Sequence, residues 1–256
     1  MDARFRGHDS GVSRHSRAMT KGLFITFEGI EGCGKSTQSK LLCDYLRAHG
    51  YGCVYTREPG GTKLGEKIRQ ILLHSKSIAI SNLSEVFLFE AARAEIVKEV
   101  ISPALQKGKI VICDRFYDAT AAYQGFAGGI PLDIIKLLNK AATGGLKPDL
   151  TILLDIDTLA GLKKAKKNGI DRMEAKAIAY HRKVRAGYLA LARKEPKRIK
   201  IVRVEKDLNK TREKVRKLVT ETICHSRPLS FPRKRESMQG VNCSGNPENR
   251  LPLSRQ

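Results

Sequence analysis

The chain has 256 residues, 41% hydrophobic and 29% charged, enough to bury a core in one large domain or two small ones without disulfide help. No stretch approaches the roughly 18 consecutive apolar residues of a membrane span, and six cysteines without a CxxC pair argue for a reduced, cytoplasmic setting. The net charge of +22, from 48 Lys+Arg against 26 Asp+Glu, points to a phosphate-rich partner.

Residues 1–18 are rich in Arg, Gly, Ser and His, lack apolar periodicity and precede Met19. They read as a disordered N-terminal extension, with translation expected to start at Met19. They contain no apolar stretch of the kind a secretory signal needs, so export is not expected. From there, apolar runs alternate with helical periods. LFITF (23–27), CVYT (53–56), IVICD (110–114), LTILLDI (150–156) and IKIVRV (199–204) read as buried parallel strands. Helices are expected over 36–48, 62–74, 83–107, 131–143, 159–167, 175–193 and 210–223. The alternation predicts an α/β fold over 19–223, a five-stranded parallel sheet flanked by helices in three layers. Residues 224–256, with four prolines and no periodicity, read as a disordered basic C-terminal tail.

Directly after the first strand, Gly29-Ile30-Glu31-Gly32-Cys33-Gly34-Lys35-Ser36-Thr37 fits G-x-x-x-x-G-K-[ST] and opens onto a helix. Glycines let successive backbone N–H groups turn inward around phosphate oxygens, and the helix N-terminus adds its own partial positive charge. Lys35 is expected to reach the terminal phosphates of ATP, and the Ser36 hydroxyl to ligate Mg²⁺. This makes the sheet a P-loop NTPase fold. Asp114, at the C-terminal end of the third strand beside Arg115, is the expected magnesium-side carboxylate, directly or through water.

Three further stretches narrow the acceptor: TREPGGT (56–62), FEAAR (89–93) and DRFYDATAAYQ (114–124). With the phosphate loop they resemble the thymidylate kinases, particularly the bacterial enzymes, over residues 20–220. The resemblance implies a nucleoside monophosphate kinase that transfers the γ-phosphoryl of ATP to dTMP, giving dTDP and ADP in dTTP biosynthesis. It also implies a homodimer formed through the long helix at 83–107. Phe89 and Arg93 lie four apart on one helical face, so an aromatic plane can stack on a pyrimidine while a guanidinium donates to its carbonyl. Arg57, Arg69 and Arg115 are candidates for holding the acceptor phosphate, because planar bidentate donors suit a monoester dianion. By resemblance, Glu31 lies near the acceptor sugar's 3′-hydroxyl. Tyr123 and Gln124 line sugar and base, the tyrosine crowding a 2′-hydroxyl. Since the acceptor is already an oxyanion, no general base is needed, and the six histidines are expected to be solvated or capping side chains.

Residues 161–174 resemble the lid of thymidylate kinases that supply a transition-state cation from the lid. The phosphate loop here has no arginine, so Lys163, Lys164, Lys166, Lys167 and Arg172 are the candidates. Lys166 and Arg172 are taken, with Lys35 and Arg115, as the catalytic residues. Two positions depart from the family pattern. Lysines and Asn168 stand where lid arginines are common, and Ala119 stands where a serine is usual, which removes one hydroxyl contact and either lowers affinity for dTMP or leaves the contact to Thr120 or water. Alternative readings are a kinase for another nucleoside monophosphate or a deoxynucleoside, and a nucleic-acid-binding P-loop ATPase. No base-reading motif supports the latter. The charge argues the same way, since residues 163–217 hold 21 Lys+Arg against six Asp+Glu and the phosphate-loop and acceptor region is nearly neutral.

Overall fold

Five runs of β-branched and aliphatic residues form one sheet in the computed structural model of the chain, which describes residues 22–75, 79–165, 172–173 and 176–226. The strands are β1 (Leu23–Glu28), β2 (Cys53–Arg57), β3 (Ile110–Asp114), β4 (Leu150–Asp155) and β5 (Ile199–Arg203). All neighbours pair in parallel, in the order β2-β3-β1-β4-β5. Each agrees with the sequence expectation to within a residue at either end. Side-chain alternation divides the core between the two faces. Leu23, Ile25 and Phe27 of β1 join Ile110 and Ile112 of β3 in one cluster, while Phe24 joins Val111 and Cys113 in the other. Helices therefore cover both faces, as a sheet apolar on both sides requires.

Helix α1 (Lys35–Ala48) follows β1. Helix α2 (Lys63–Arg69) is capped by Thr62, whose side chain accepts from the Gly65 N–H, and continues into a π-helical turn, Gln70–His74. Helix α3 (Asn82–Ile96) is capped by Ser81 and runs through a second π-helical turn, Val97–Ile101, into Ser102–Gln106. The rod expected at 83–107 is thus present, with a wider winding at its middle. Helix α4 was not expected: Tyr117–Thr120 is helical, and Ala121–Ala127 continues it with π winding. Its buried positions include Asp118, Thr120 and the whole run Ala122–Gly125, so it lacks the one-sided apolar stripe by which a surface helix is recognised.

Helix α5 (Leu132–Thr143) stops at Gly144 in the left-handed region. Helix α6 (Thr158–Ala165) starts on Asp157, whose carboxylate accepts from the Leu159 and Ala160 N–H groups. Helix α7 (Ile178–Lys194) begins three residues later than expected because Ala177 is extended, at ψ 151°. Helix α8 (Leu208–Ser226) runs three residues past the expected boundary at 223, so Cys224, His225 and Ser226 belong to the folded unit. The expected extension at 1–18 and the rest of the tail lie outside the described residues.

Candidate active site

The strand order places β1 between β3 and β4, which opens a crevice beyond the carboxyl ends of the strands. The chain leaves β1 at Glu28 and turns through Gly29, Gly32 and Gly34, all at positive φ, into α1. A Cβ on Gly34 would meet nothing within 4 Å, so the space before the helix N-terminus is open and the glycine serves the turn at φ 90°. Gly32 serves a different purpose. A Cβ there would fall 1.9 Å from the Gly161 carbonyl oxygen, and one on Gly161 would fall 2.6 Å from that of Glu31. The loop and the first half of α6 thus pack backbone against backbone. Lys35 is buried, and its Nζ donates to Ile30 O at 2.9 Å. Ser36 Oγ donates to Asp114 Oδ2 at 2.5 Å, joining α1 to the end of β3.

A cavity of about 430 Å³ occupies the crevice. It is lined by the phosphate-loop residues Glu31, Gly32, Gly34, Lys35, Ser36 and Thr37, by Asp114 with Arg57, Arg69 and Arg115, by Phe89, Tyr123 and Gln124, and by Lys164 of α6. Gly29, Ile30 and Cys33 are not on the wall. Ile30 and Cys33 are core residues that support the loop from behind.

Arg115 has φ 70°, the described non-glycine residue in the left-handed region, and this turn swings its guanidinium across the crevice. Nη1 donates to Gly29 O and Tyr188 Oη, Nη2 to Glu31 Oε1 and Tyr123 Oη, each at 3.1 Å. The Tyr123 hydroxyl also donates to Glu31 Oε1. Burial alone would raise the Glu31 carboxyl, but the neighbouring His181, Arg115 and Lys35 overcome it and hold the group well below the usual carboxylate range. His181 corrects an expectation, for it is neither solvated nor capping. It is fully buried, with Nδ1 3.2 Å from Glu31 Oε2. His49 and His225 do sit on backbone carbonyls at the ends of their helices.

Phe89 reaches the cavity, but Arg93 does not. The Arg93 side chain is 1% exposed and spends its donors on Glu58 (Nε 2.9 Å, Nη2 2.7 Å), Glu90 (2.6 Å) and Asn139 (2.9 Å). Burial opposes its charge, and the two carboxylates overcome that and raise its pKa. The shared face was right; the carboxylates that capture the guanidinium are a helical neighbour and a residue from the β2–α2 loop. Glu58, itself on the cavity wall, is pushed up to about 7 by burial, against the pull of Arg93.

Arg172 also departs from its expected role. Its Nε donates to Leu72 O at 2.8 Å and its Nη1 to Glu85 at 2.6 Å, which ties it to α2 and α3 instead of the phosphate loop. Lys166, Lys167 and Asn168 lie outside the described residues. The sequence reading missed Tyr55, Glu58, Leu73 and Met173 on the cavity wall. Thr120 and Ala119 both line the space, and the buried Thr120 Oγ1 has no hydrogen-bond partner.

A family model described as Thymidylate kinase matches residues 27–215. A thymidylate kinase of Desulfosudis oleivorans is 50% identical over 188 residues, covering 70% of this chain and 88% of that protein. One from Dehalococcoides mccartyi is 53% identical over 176 residues, covering 69% and 85%. The crystal structure of thymidylate kinase from Ehrlichia chaffeensis superimposes with a TM-score of 0.65 at 37% identity, covering 78% of this chain and 99% of that one. The chain therefore belongs to the thymidylate kinase family, the ATP-dependent nucleoside monophosphate kinases that its crevice and motifs indicate.

Proposed function

We propose that this chain transfers the γ-phosphoryl of ATP to dTMP, giving dTDP and ADP, with ATP phosphates on the phosphate loop and the acceptor between Phe89 and the three arginines. The observation that carries this is the convergence of Arg57, Arg69 and Arg115 on the same cavity as Lys35, with the Phe89 ring also on its wall. A phosphate oxygen of the acceptor attacks the γ-phosphorus as the bond to the β,γ-bridging oxygen breaks, and the electron pair leaves with ADP. No side chain has to remove a proton, so the residues align and neutralise charge. Lys35 exchanges the Ile30 carbonyl for phosphate oxygens. Arg115, already ordered by four contacts that engage both Nη groups, likewise exchanges some of them for phosphate oxygens without having to be ordered first. Glu31 and Tyr123 form the floor under the acceptor sugar, and Thr120 supplies the hydroxyl that Ala119 lacks.

Ser36 Oγ already donates to Asp114 Oδ2 at the cavity wall. This hard-oxygen pair fits Mg²⁺, directly or through water, with phosphates and water as the remaining ligands. When bound, Mg²⁺ offsets negative charge on the transferring phosphoryl group. Among the lid cations Lys164 borders the cavity and takes the place first given to Arg172; Lys166 remains a second candidate.

The chain works as a cytoplasmic homodimer in this reading. Helix α3, packed on α5, exposes Leu83 and Phe87 (47% and 53%), and α5 exposes Leu137 (67%), an apolar surface suited to a second copy. Among the described residues no helix is long and apolar enough to cross a membrane. The test is ADP release by the full chain with ATP, Mg²⁺ and dTMP, dUMP, dCMP or thymidine. The expected result is fastest turnover of dTMP, and absence of acceptor-dependent ADP would overturn the proposal.

A further inference from the structure

Glu85 sits in the first turn of α3, 1% exposed, and its two carboxylate oxygens face different elements. Oε1 accepts from Arg172 Nη1 at 2.6 Å and lies 3.6 Å from Lys176 Nζ, both from the segment that returns from the lid. Oε2 accepts from Gln124 Nε2 at 3.1 Å. Gln124 is buried in α4 and lines the cavity with Phe89. A carboxamide can present either its donor or its acceptor end, whereas a carboxylate only accepts. Glu85 thereby holds the nitrogen of Gln124 toward itself and leaves the carbonyl Oε1 for the cavity.

We propose that Glu85 is a positioning residue that sets base selectivity. By fixing the Gln124 amide, it makes the cavity wall at Gln124 accept an imide N–H, as in thymine or uracil, and disfavour the N3 acceptor of cytosine. Two acceptors facing each other cannot share a proton, so a cytosine there would lose a hydrogen bond and leave Gln124 Oε1 unpaired. Arg172 and Lys176 complete the device, since they compensate the buried carboxylate on the oxygen that the amide does not use. Their attachment to α3 makes the lid's return segment part of base selection, a different role from contributing a cation to the phosphoryl group. The inference rests on dTMP being the acceptor.

The experiment compares kcat and KM for dTMP, dUMP and dCMP in the wild-type chain and in Glu85→Gln. A glutamine at position 85 can donate as well as accept, which frees the Gln124 amide to turn over. The expected result is a fall of about tenfold in the dTMP:dCMP ratio of kcat/KM, carried by a raised KM for dTMP and a lowered one for dCMP. The dTMP:dUMP ratio should hold within about twofold, because both bases carry the same N3–H. A purely structural role for Glu85 would lower all three activities together. An unchanged dTMP:dCMP ratio in a folded variant overturns the inference. If Glu85→Gln does not fold, Gln124→Met removes the amide that Glu85 orients. The dTMP:dCMP ratio should then fall about tenfold, and no change overturns the inference. A wild-type chain that releases no ADP with dTMP overturns the acceptor assignment and this inference together; normal turnover with an unchanged ratio overturns this inference alone.

Discussion

On the acceptor side of the cavity nearly every polar side chain is already engaged. Arg115 makes four hydrogen bonds, Arg57 pairs with Glu66, Arg69 donates to Pro59 O, and Gln124 is held by Glu85. On the lid side, α6 carries Lys163 and Lys164, both exposed, at the head of the strongly basic stretch from 163 to 217. Two ways of handling phosphate charge thus face each other across one space. Hydrogen-bonded guanidinium groups are held in place at folding and then need little reordering when substrate binds. Exposed lysines remain hydrated and are ordered only at the moment of use, so their attraction is weaker and screened by salt. Position on the cavity therefore says more about a cation's contribution than its distance along the chain from the phosphate loop.

The largest effect expected from this contrast is at Arg115. Arg115→Met removes a fixed donor and leaves Glu31 and Tyr123 without their cation, so kcat/KM for dTMP should fall about 10²–10³-fold in an ADP-release assay. A fall below about fivefold would mean that the acceptor side is not the prearranged half. Lys164→Met should lower kcat about tenfold while leaving the KM for dTMP nearly unchanged, with the wild-type advantage shrinking at high salt. If Lys164→Met proved costlier than Arg115→Met, the contrast would be inverted.

The smallest effect concerns stability. Glu28, under the Arg115 turn, accepts from the Phe116 N–H and the Tyr188 hydroxyl. Burial foremost, with Asp118 adding to it, pushes its carboxyl from an ordinary 4.5 up to about 8. Between those values the unfolded chain has released a proton that the folded chain keeps, so folding stability declines as pH rises and levels off above about 8. Thermal unfolding across pH 5–8 should show this decline in the wild type and a flatter profile in Glu28→Gln. An equal slope in both would remove Glu28 as its source.

The five strands were legible because a sheet buried on both faces writes continuous apolar runs into the chain. The phosphate loop was legible because its geometry demands glycine at fixed spacing. Helix α4 was obscured for the opposite reason, being buried on nearly every side at Ala122–Gly125. Spacing along α3 correctly put Phe89 and Arg93 on one face, but the guanidinium's fate depends partly on Glu58, which reaches it only after the chain has folded. Arg172 likewise looked like a lid cation because it follows four lid lysines. Only the return of the chain to α2 and α3 reveals its partners, Leu72 and Glu85. Partners distant in sequence are what short-range patterns omit.

The contact between Gly32 and Gly161 bears on how this motif can vary. The nucleotide-binding pattern fixes glycine at 29 and 34 and leaves position 32 open, as though any residue would serve. Here that freedom is withdrawn by a residue the pattern does not contain, since a side chain at 32 would occupy the space of the Gly161 carbonyl. The two positions are sterically linked: larger residues can enter either one only if α6 is set farther from the loop, which would also move Lys164 away from the phosphates.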